Sequence, residues 1–473
     1  MQIPINLPQP VILWTDALLF VLIITVITFT ILAKQHPHLA TPWRYVFRNR
    51  LGMGTAIFLS LYLLIALMDS IHFRPQLPKT DANIANNYST EVLSLLDIII
   101  TPLRIQHEKT YSAPLSAYLY TKETIKTENG VAQRIYPRLI YGGAHLTNPE
   151  KELIPDILIK ASYGLLSGFV LWLSISIVIL YWLAIKHSLS LSQQVRQVLT
   201  DTTILPWRTI ILITGFLILI IGITTTLAGY YHIFGTDKVG EDVLDQTIKS
   251  IRTGLIIGTL TTLIMLPAAI IFGLMAGYFR GIIDDIIQYL YTTLSSIPGV
   301  LLIAASILML QVYMNQHADN FTSLVERADL RLVFLCLILG VTSWTGLCRL
   351  LRGETLKLRE LDYIQASLAL GSSHFAVLYQ HVLPNVLHLV LIRVALDFSD
   401  LVLAEAVLSY VNIGVDPTTN SWGNMINGAR LELAREPVVW WSLAASFSFM
   451  FILVLAANLF ADVVRDAFDP RLR

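Results

Sequence analysis

Charge is what this sequence has least of. Of its 473 residues only 14% are charged and 55% are hydrophobic, against about 25% charged in an average soluble domain. Mean hydropathy is +0.63. A water-soluble fold this apolar would carry more greasy surface than its core could hide, so lipid must cover part of it. Cysteine is nearly absent. Cys336 and Cys348 lie in or beside one hydrophobic segment with no His or Cys cluster nearby, which suggests neither a zinc site nor a disulfide framework. Both read as buried small hydrophobes. Positive and negative charges cancel, so there is no nucleic-acid footprint. The Gly-x-x-x-x-Gly-Lys-Ser/Thr phosphate loop is missing, as are His-Glu-x-x-His and Gly-x-Ser-x-Gly. No catalytic residue, metal ligand or cofactor is expected in the chain, and any energy must come from an ion gradient or a partner. No solenoid-type repeat is found.

What is present are long apolar runs. A helix needs about 20 consecutive apolar residues to cross a bilayer core. Nine stretches qualify, near 11–33, 51–71, 158–186, 208–231, 247–277, 284–313, 331–350, 388–410 and 438–460. The first lacks a basic lead, is too long for a signal-peptide core and is followed by no small-residue cleavage site. The basic residues then orient the chain. Lys34, Arg44, Arg48 and Arg50, then Lys186, Arg196 and Arg208, then Arg349, Arg352, Lys357 and Arg359, and finally Arg465, Arg471 and Arg473 all fall on one side. That side is the cytoplasm, which places the N-terminus outside. Residues 72–157 form one long outer excursion of about 85 residues, rich in turns (Arg74-Pro75-Gln76-Leu77-Pro78; Tyr141-Gly142-Gly143), and a small folded domain is expected there. The expected class is an all-α polytopic membrane protein of about nine spans with one outer domain.

One inter-span segment, 349–387, is too long and too regular for a simple connector. It reads as a helix running to about Lys357, a second near Tyr363–Leu370 and a breaker at Gly371. Ser372 or Ser373 then caps a further short helix toward Tyr379, and Pro384 ends that element before the next span. Small residues Ala366, Ser367 and Ala369 allow close approach by another protein surface.

At these residues a resemblance becomes specific. Gln365-Ala366-Ser367, then Gly371, then Leu383-Pro384 is similar to the loop shared by permeases of ATP-binding-cassette importers, whose pattern is Glu-Ala-Ala, Gly, Leu-Pro at the same spacing. Tyr363 and His381-Val-Leu-Pro-Asn385 look like the peptide-permease branch. Gln365, Ser367, Leu368 and His374 stand where Glu, Ala, Arg and Asp are usual. Gly235-Thr236-Asp237-x-x-Gly240-Glu241-Asp242-Val243 resembles the Gly-Thr-Asp-x-x-Gly-Arg-Asp-Val of dipeptide and oligopeptide permeases, with Glu241 for Arg. Gly273…Gly277-Tyr-Phe-Arg-Gly281 with Asp284 and Ser296-Ile-Pro298 is similar to the next helix pair. Pro417-x-x-Asn420-Ser421-Trp422-Gly423 and the tail from Arg465 to Arg473 match the last two elements. The resemblance covers about residues 232–473. Toward the N-terminus, Trp43-Arg44…Arg48-Asn49-Arg50 with span 51–71 looks like the family opening, yet span 208–231 has the right orientation too. An insertion and a prefix of about 200 residues both remain open.

The resemblance implies a type I importer permease core at 232–473, preceded by an N-terminal membrane region (1–71), the outer domain (72–157) and two additional spans (158–231). It also implies partners: a second permease, two cytoplasmic ATP-binding subunits carrying ATP and Mg, and a periplasmic substrate-binding protein, all at a bacterial inner membrane. Residues Tyr363, Gln365, Ala366, Ser367, Gly371, Leu383 and Pro384 would couple to the ATPases. Gly235, Thr236, Asp237, Gly240 and Asp242 form the outer motif. The implied cargo is di- or oligopeptides, with nickel or peptide-like molecules in related permeases. Within span 388–410, Arg393, Asp397 and Asp400 share one helix face; a polar translocation lining and a local Arg393–Asp397 pair both account for them. Glu405 belongs to a family stretch and reads as packing. Gly164/Gly168, Gly254/Gly258 and Gly273/Gly277 permit close helix crossings, Pro267 and Pro298 are candidate kinks, and Trp14, Trp207, Tyr230, Tyr231, Trp440 and Trp441 read as interfacial anchors. The rival classes are a gradient-driven secondary transporter using the Arg393, Asp397 and Asp400 charges, and a membrane scaffold with a degenerate permease core.

Overall fold

Seventeen α-helices are found among the residues that the computed structural model describes, 9–35, 37–76, 88–126, 132–317, 321 and 323–468. The expected turn residues Leu77 and Pro78 and the tail residues Pro470, Arg471 and Arg473 lie outside the described residues. Helices α1 (Trp14–Gln35), α2 (Pro37–Arg48) and α3 (Arg50–Asp69) open the fold, and two short helices, α4 (Leu95–Ile99) and α5 (Thr101–Ile105), follow. Then come α6 (Pro149–His187), α7 (Leu191–Leu199), α8 (Trp207–Ala228) and α9 (Val243–Phe279). Helices α10 (Gly281–Ser296), α11 (Gly299–Gln316) and α12 (Leu324–Arg359) lead to the short α13 (Asp362–Ala369) and α14 (His374–Val377). The chain finishes with α15 (Leu383–Tyr410), α16 (Trp422–Leu433) and α17 (Trp441–Phe468).

Seven of the described helices, α3, α6, α8, α9, α11, α12 and α17, are long and apolar enough to cross a membrane, where nine spans were expected. Helix α1 is 22 residues long and strongly apolar, but its described apolar stretch covers only Trp14–Thr28, so it is not among the seven. Helix α15 is long enough at 28 residues, but Arg393, Asp397, Asp400 and Glu405 dilute its hydropathy. The stretch 284–313, expected as one span, is two helices. Pro298 has no N–H to donate and pushes its predecessor out of the helical region, so Ile297 is extended at φ −86° and ψ 129° and α10 ends there. Pro267, by contrast, is carried inside α9. Helix α6 begins at Pro149, so the expected outer boundary at 157 falls inside a helix.

Close crossings are made by glycine. A Cβ at Gly277 of α9 would sit 2.6 Å from the Thr355 side chain and 2.7 Å from the Arg352 carbonyl of α12. At Gly164 a Cβ would stand 2.6 Å from the Gly222 carbonyl, which brings α6 and α8 backbone to backbone. Gly254 and Gly258 do something else: they make room for the rings of Trp422 and Phe398. Helix α3 packs against α9 and α17, with Tyr62 and Ala66 buried beside Ile251, Trp422 and Met450. Helix α8 packs chiefly on α6. The amphipathic α2 buries Val46 against Val463, Val464 and Phe468 of α17. Both cysteines are buried.

The segment between α3 and α6 is built of short pieces. Strands β1 (Gln9–Val11), β2 (His72–Arg74) and β3 (Leu93–Ser94) form an antiparallel sheet in that order, so the chain start pairs with residues beyond α3. Strands β4 (Glu123–Lys126) and β5 (Ala132–Ile135) form a separate antiparallel ribbon. A buried ionic cluster ties this segment to the helices. Asp16 of α1 accepts from Arg252 of α9 at 2.6 Å and lies 2.8 Å from His72 of β2. Thr15 bonds Asp329 of α12, Ser94 donates to Asp69 of α3 at 2.7 Å, and Lys249 meets Asp97 at 2.7 Å. A charge such as Arg252 survives inside an apolar bundle because its Nε and Nη2 find partners in Ser70, Thr15 and Asp16.

Candidate functional site

Helix α12 runs past the bundle to Arg359, and the chain turns back through α13, α14 and a π-helical stretch, Leu378–Val382, into α15. Each break has its residue. Gly371 takes φ +90°, a left-handed conformation that costs a Cβ-bearing residue. Ser373, not Ser372, caps α14 by accepting from the Ala376 N–H. Pro384, expected to separate this element from the next span, instead sits in the first turn of α15, which continues directly from the π-helical stretch. Its missing N–H is one the helix start does not use. One face of the segment is buried: Ile364, Val377 and Val382 join the core formed by Tyr278, Leu347, Leu351 and Ile287. The other face is apolar and open, with Leu370 87%, Phe375 76% and Tyr379 73% exposed.

Anchoring side chains hold the segment to the bundle. Arg352 forms a fork onto Asp284 of α10, at 2.6 and 2.7 Å, and Arg359 donates to the Tyr278 carbonyl at 2.6 Å. Arg280 pairs with Glu360. The departures from the family pattern are used inward. Gln365 donates its amide to the Arg359 carbonyl at 2.9 Å, satisfying a helix-end acceptor that a carboxylate could not. His374 shares a 2.9 Å hydrogen bond with Tyr278, and Leu368 packs on the core. Ser367 donates to Ser372 at 3.0 Å, and the Asn385 amide donates to the Tyr363 hydroxyl at 3.0 Å. Ala366 and Gly371 are exposed, and Leu383 is half-buried against the core. Tyr363, Gln365, Ala366, Ser367, Gly371, Leu383 and Pro384 therefore lie in one structural unit.

At the other end of α9, the outer motif is a tight turn. Gly235 and Gly240 adopt φ +69° and +80°. At Gly240 any Cβ would overlap the Glu108 carbonyl. Asp242 caps α9 by accepting from the Leu244 N–H at 2.8 Å and also binds His232 at 2.7 Å. Thr236 donates to the Thr110 carbonyl at 2.8 Å and accepts from the Ser112 N–H at 2.7 Å. Asp237 accepts from the Val239 and Glu241 amides. His232 is fully buried between Asp242 and Glu108, the latter 3.5 Å away. Burial alone would lower its pKa, but the two carboxylates raise it to about 9. Burial pushes Glu108 up, yet His232 and the N–H groups of Ile140, Tyr141 and Gly142 hold it below the usual carboxylate range. The segment between α3 and α6 is thereby clasped to the turn before α9.

Two expected anchors belong to this joint instead. Tyr231 and Trp441 are buried, correcting their assignment to the membrane interface. Tyr231 donates to Asp156 at 2.6 Å and Trp441 to the Thr236 carbonyl at 3.0 Å; each ring is spent on packing and its polar tip on a partner. Trp14 and Trp440 are exposed. Along α15, Arg393 and Asp397 form a 2.8 Å ion pair one turn apart, while Asp400 is exposed. Glu405 is buried and accepts from Ser409 at 2.7 Å, a packing role. Sequence reasoning passed over His232, Glu108, Glu432 and the Arg352–Asp284 fork. Only the fork carried a local signal, since Asp284 had already been placed within a motif.

The comparisons with known proteins address this C-terminal part. Residues 269–473 match the family described as binding-protein-dependent transport system inner membrane component. Similar proteins include a dipeptide transport system permease protein of Lactococcus lactis, 30% identical over 240 residues, covering 51% of this chain and 64% of the relative. An oligopeptide transport system permease protein of Haemophilus influenzae is 29% identical over 248 residues, covering 52% of this chain and 73% of the relative. A glutathione transport system permease protein of Pectobacterium atrosepticum is 29% identical over 242 residues, covering 51% and 73%. The alignments thus reach about half of this chain and leave part of each relative unmatched. The family match, the peptide permeases among its relatives and the motif geometry agree: the C-terminal part of this chain is similar to the binding-protein-dependent transport system inner membrane components.

Proposed function

We propose that this chain is a non-catalytic permease subunit of an ATP-driven importer of di- or oligopeptides in a bacterial inner membrane. The single observation that carries the reading is the α12–α15 segment: an anchored inner face, and an outer face of exposed Leu370, Phe375 and Tyr379 inside the region matched by the family. An isolated apolar patch of this kind needs a covering surface. The occupant is a cytoplasmic ATPase, one of a pair, with ATP and Mg bound there. A second permease and an outer substrate-binding protein complete the assembly. ATP-driven closure of the ATPase pair would pull on α13 and α14, and the rigid links from Arg359, His374 and Gln365 would pass that movement to α9 and α12. Transport is then a shift between outward- and inward-open states favoured by different ligands. The basic residues around Arg44–Arg50 and in 349–359 support a cytoplasmic placement for that side and for the C-terminus, with the N-terminus outside. The packing of α3 on α9 and α17 supports α3 as the first core helix, with residues 72–231 inserted after it. Arg393 with Asp397, and Asp400, are candidate path charges.

The test is co-purification with an ATPase encoded beside this chain. Phe375→Asp and Gly371→Glu are expected to abolish it, while the surface change Lys357→Gln leaves it intact. Peptide uptake that survives inactivated ATPase sites but collapses with the proton gradient would refute the proposal.

A further inference from the structure

A cavity of about 770 Å³ lies between the outer motif, the 417–421 loop, α16 and the start of α17. It is large enough for a short peptide. Tyr111, contributed by the segment between α3 and α6, forms part of its wall. Its carboxylates differ in how they are satisfied. Asp237 and Glu241 both accept from the Gln246 side chain, at 3.0 and 2.9 Å. Glu432 is 7% exposed, and its Oε1 accepts only from the Tyr111 hydroxyl, at 3.3 Å. Its Oε2 is buried with no hydrogen-bond partner among the described residues. A buried carboxylate oxygen left unpaired is costly, and a site that supplies its partner only on binding converts that cost into recognition. The same cavity is lined by Lys238 and Arg435, and neither forms an ion pair among the described residues. Arg435 instead lies over the Tyr111 ring at 4.8 Å.

A carboxylate oxygen without a hydrogen bond, beside two cations whose charges act on that carboxylate but form no direct ion pair among the described residues, fits a zwitterion. We propose that this cavity receives a short peptide whose free α-ammonium group binds Glu432 Oε2, with Lys238 and Arg435 on the side of its carboxylate. The proposal rests on the peptide-permease reading and adds a residue that would discriminate substrates within this chain. Acetylating the peptide removes the positive charge and two of three donors, leaving the Glu432 carboxylate unmatched.

The experiment uses the full chain in lipid nanodiscs, with trialanine and N-acetyl-trialanine as probes. The wild type is expected to bind trialanine about tenfold more tightly than the acetylated probe, about 1.4 kcal/mol. Glu432→Gln should erase that preference, and Glu432→Asp, which keeps the charge, should retain part of it. Equal binding of both probes by the wild type, binding of neither, or an undiminished preference in Glu432→Gln would overturn the inference. Co-purification of the ATPase with Glu432→Gln, run in parallel, separates the two claims. If the wild-type complex never forms, the permease reading fails; if it forms while discrimination is absent, only the role of Glu432 fails.

Discussion

The clasp at His232 gives a prediction whose size follows from the geometry. His232 is fully buried between Asp242 and Glu108 and titrates at about 9, against an ordinary 6.5. Each pH unit between the two values is worth about 1.4 kcal/mol, so the imidazolium contributes about 3 kcal/mol to holding the joint closed. A raised folded-state value means that this contribution is complete below pH 6.5 and is lost as pH rises through 9. On the acid side the link weakens as Glu108, held low, becomes protonated. The amides of Ile140, Tyr141 and Gly142, which donate to Glu108, report the joint directly by hydrogen exchange. Their protection, corrected for the intrinsic pH dependence of exchange, should fall about a hundredfold between pH 6.5 and 9.5. His232→Gln, which keeps a donor but cannot carry charge, should start at the lower protection and show no such fall. Protection that stays constant in the wild type across this range, or that falls equally in His232→Gln, would refute the charge-based account of the clasp.

Three further outcomes follow from close contacts. Gly277→Leu drives a side chain into Thr355 and the Arg352 carbonyl and should destabilise the α9–α12 crossing by about 3 kcal/mol, read as a lower thermal midpoint in detergent. Gly240→Ala faces both a positive φ and the Glu108 carbonyl. It should loosen the same joint as His232→Gln, but independently of pH, as seen by protease cleavage between residues 105 and 145. Gln365→Glu restores the residue usual in the family yet loses the donor to the Arg359 carbonyl. The turn at 360–364 should open by about 1 kcal/mol, measurable as faster local exchange.

Much of the bundle was legible because the signals are local. An apolar run forms a helix wherever it sits in lipid, since every backbone group must be paired within the segment. Caps and breakers act over a few residues, so the break at Gly371 and a cap at Ser372 or Ser373 could be placed from their neighbours alone, the structure choosing Ser373. The spacing from Gln365 to Pro384 marked a segment that resembles the family's loop, again from residues close together in the chain. Charged residues within a helix were the harder case. Arg393 and Asp397, four apart, could be paired on paper, whereas Arg252 could not, because Asp16 lies more than two hundred residues away.

Chain order and composition were thus enough for a membrane-embedded helical protein, the approximate course of its long apolar helices and the motif by which it resembles a known family. They were not enough to place α3 rather than α8 against α9 and α17, to bury Tyr231 and Trp441, or to turn Gln365 and His374 inward. Those outcomes depend on which surfaces meet after the helices form. Packing is decided by shape at glycine crossings and by the pairing of buried polar atoms across long separations. Glu432 shows the same limit. Its sequence neighbours give it no distinction, and only the wall built by Tyr111, Asp237 and α16 leaves one of its oxygens waiting for a partner.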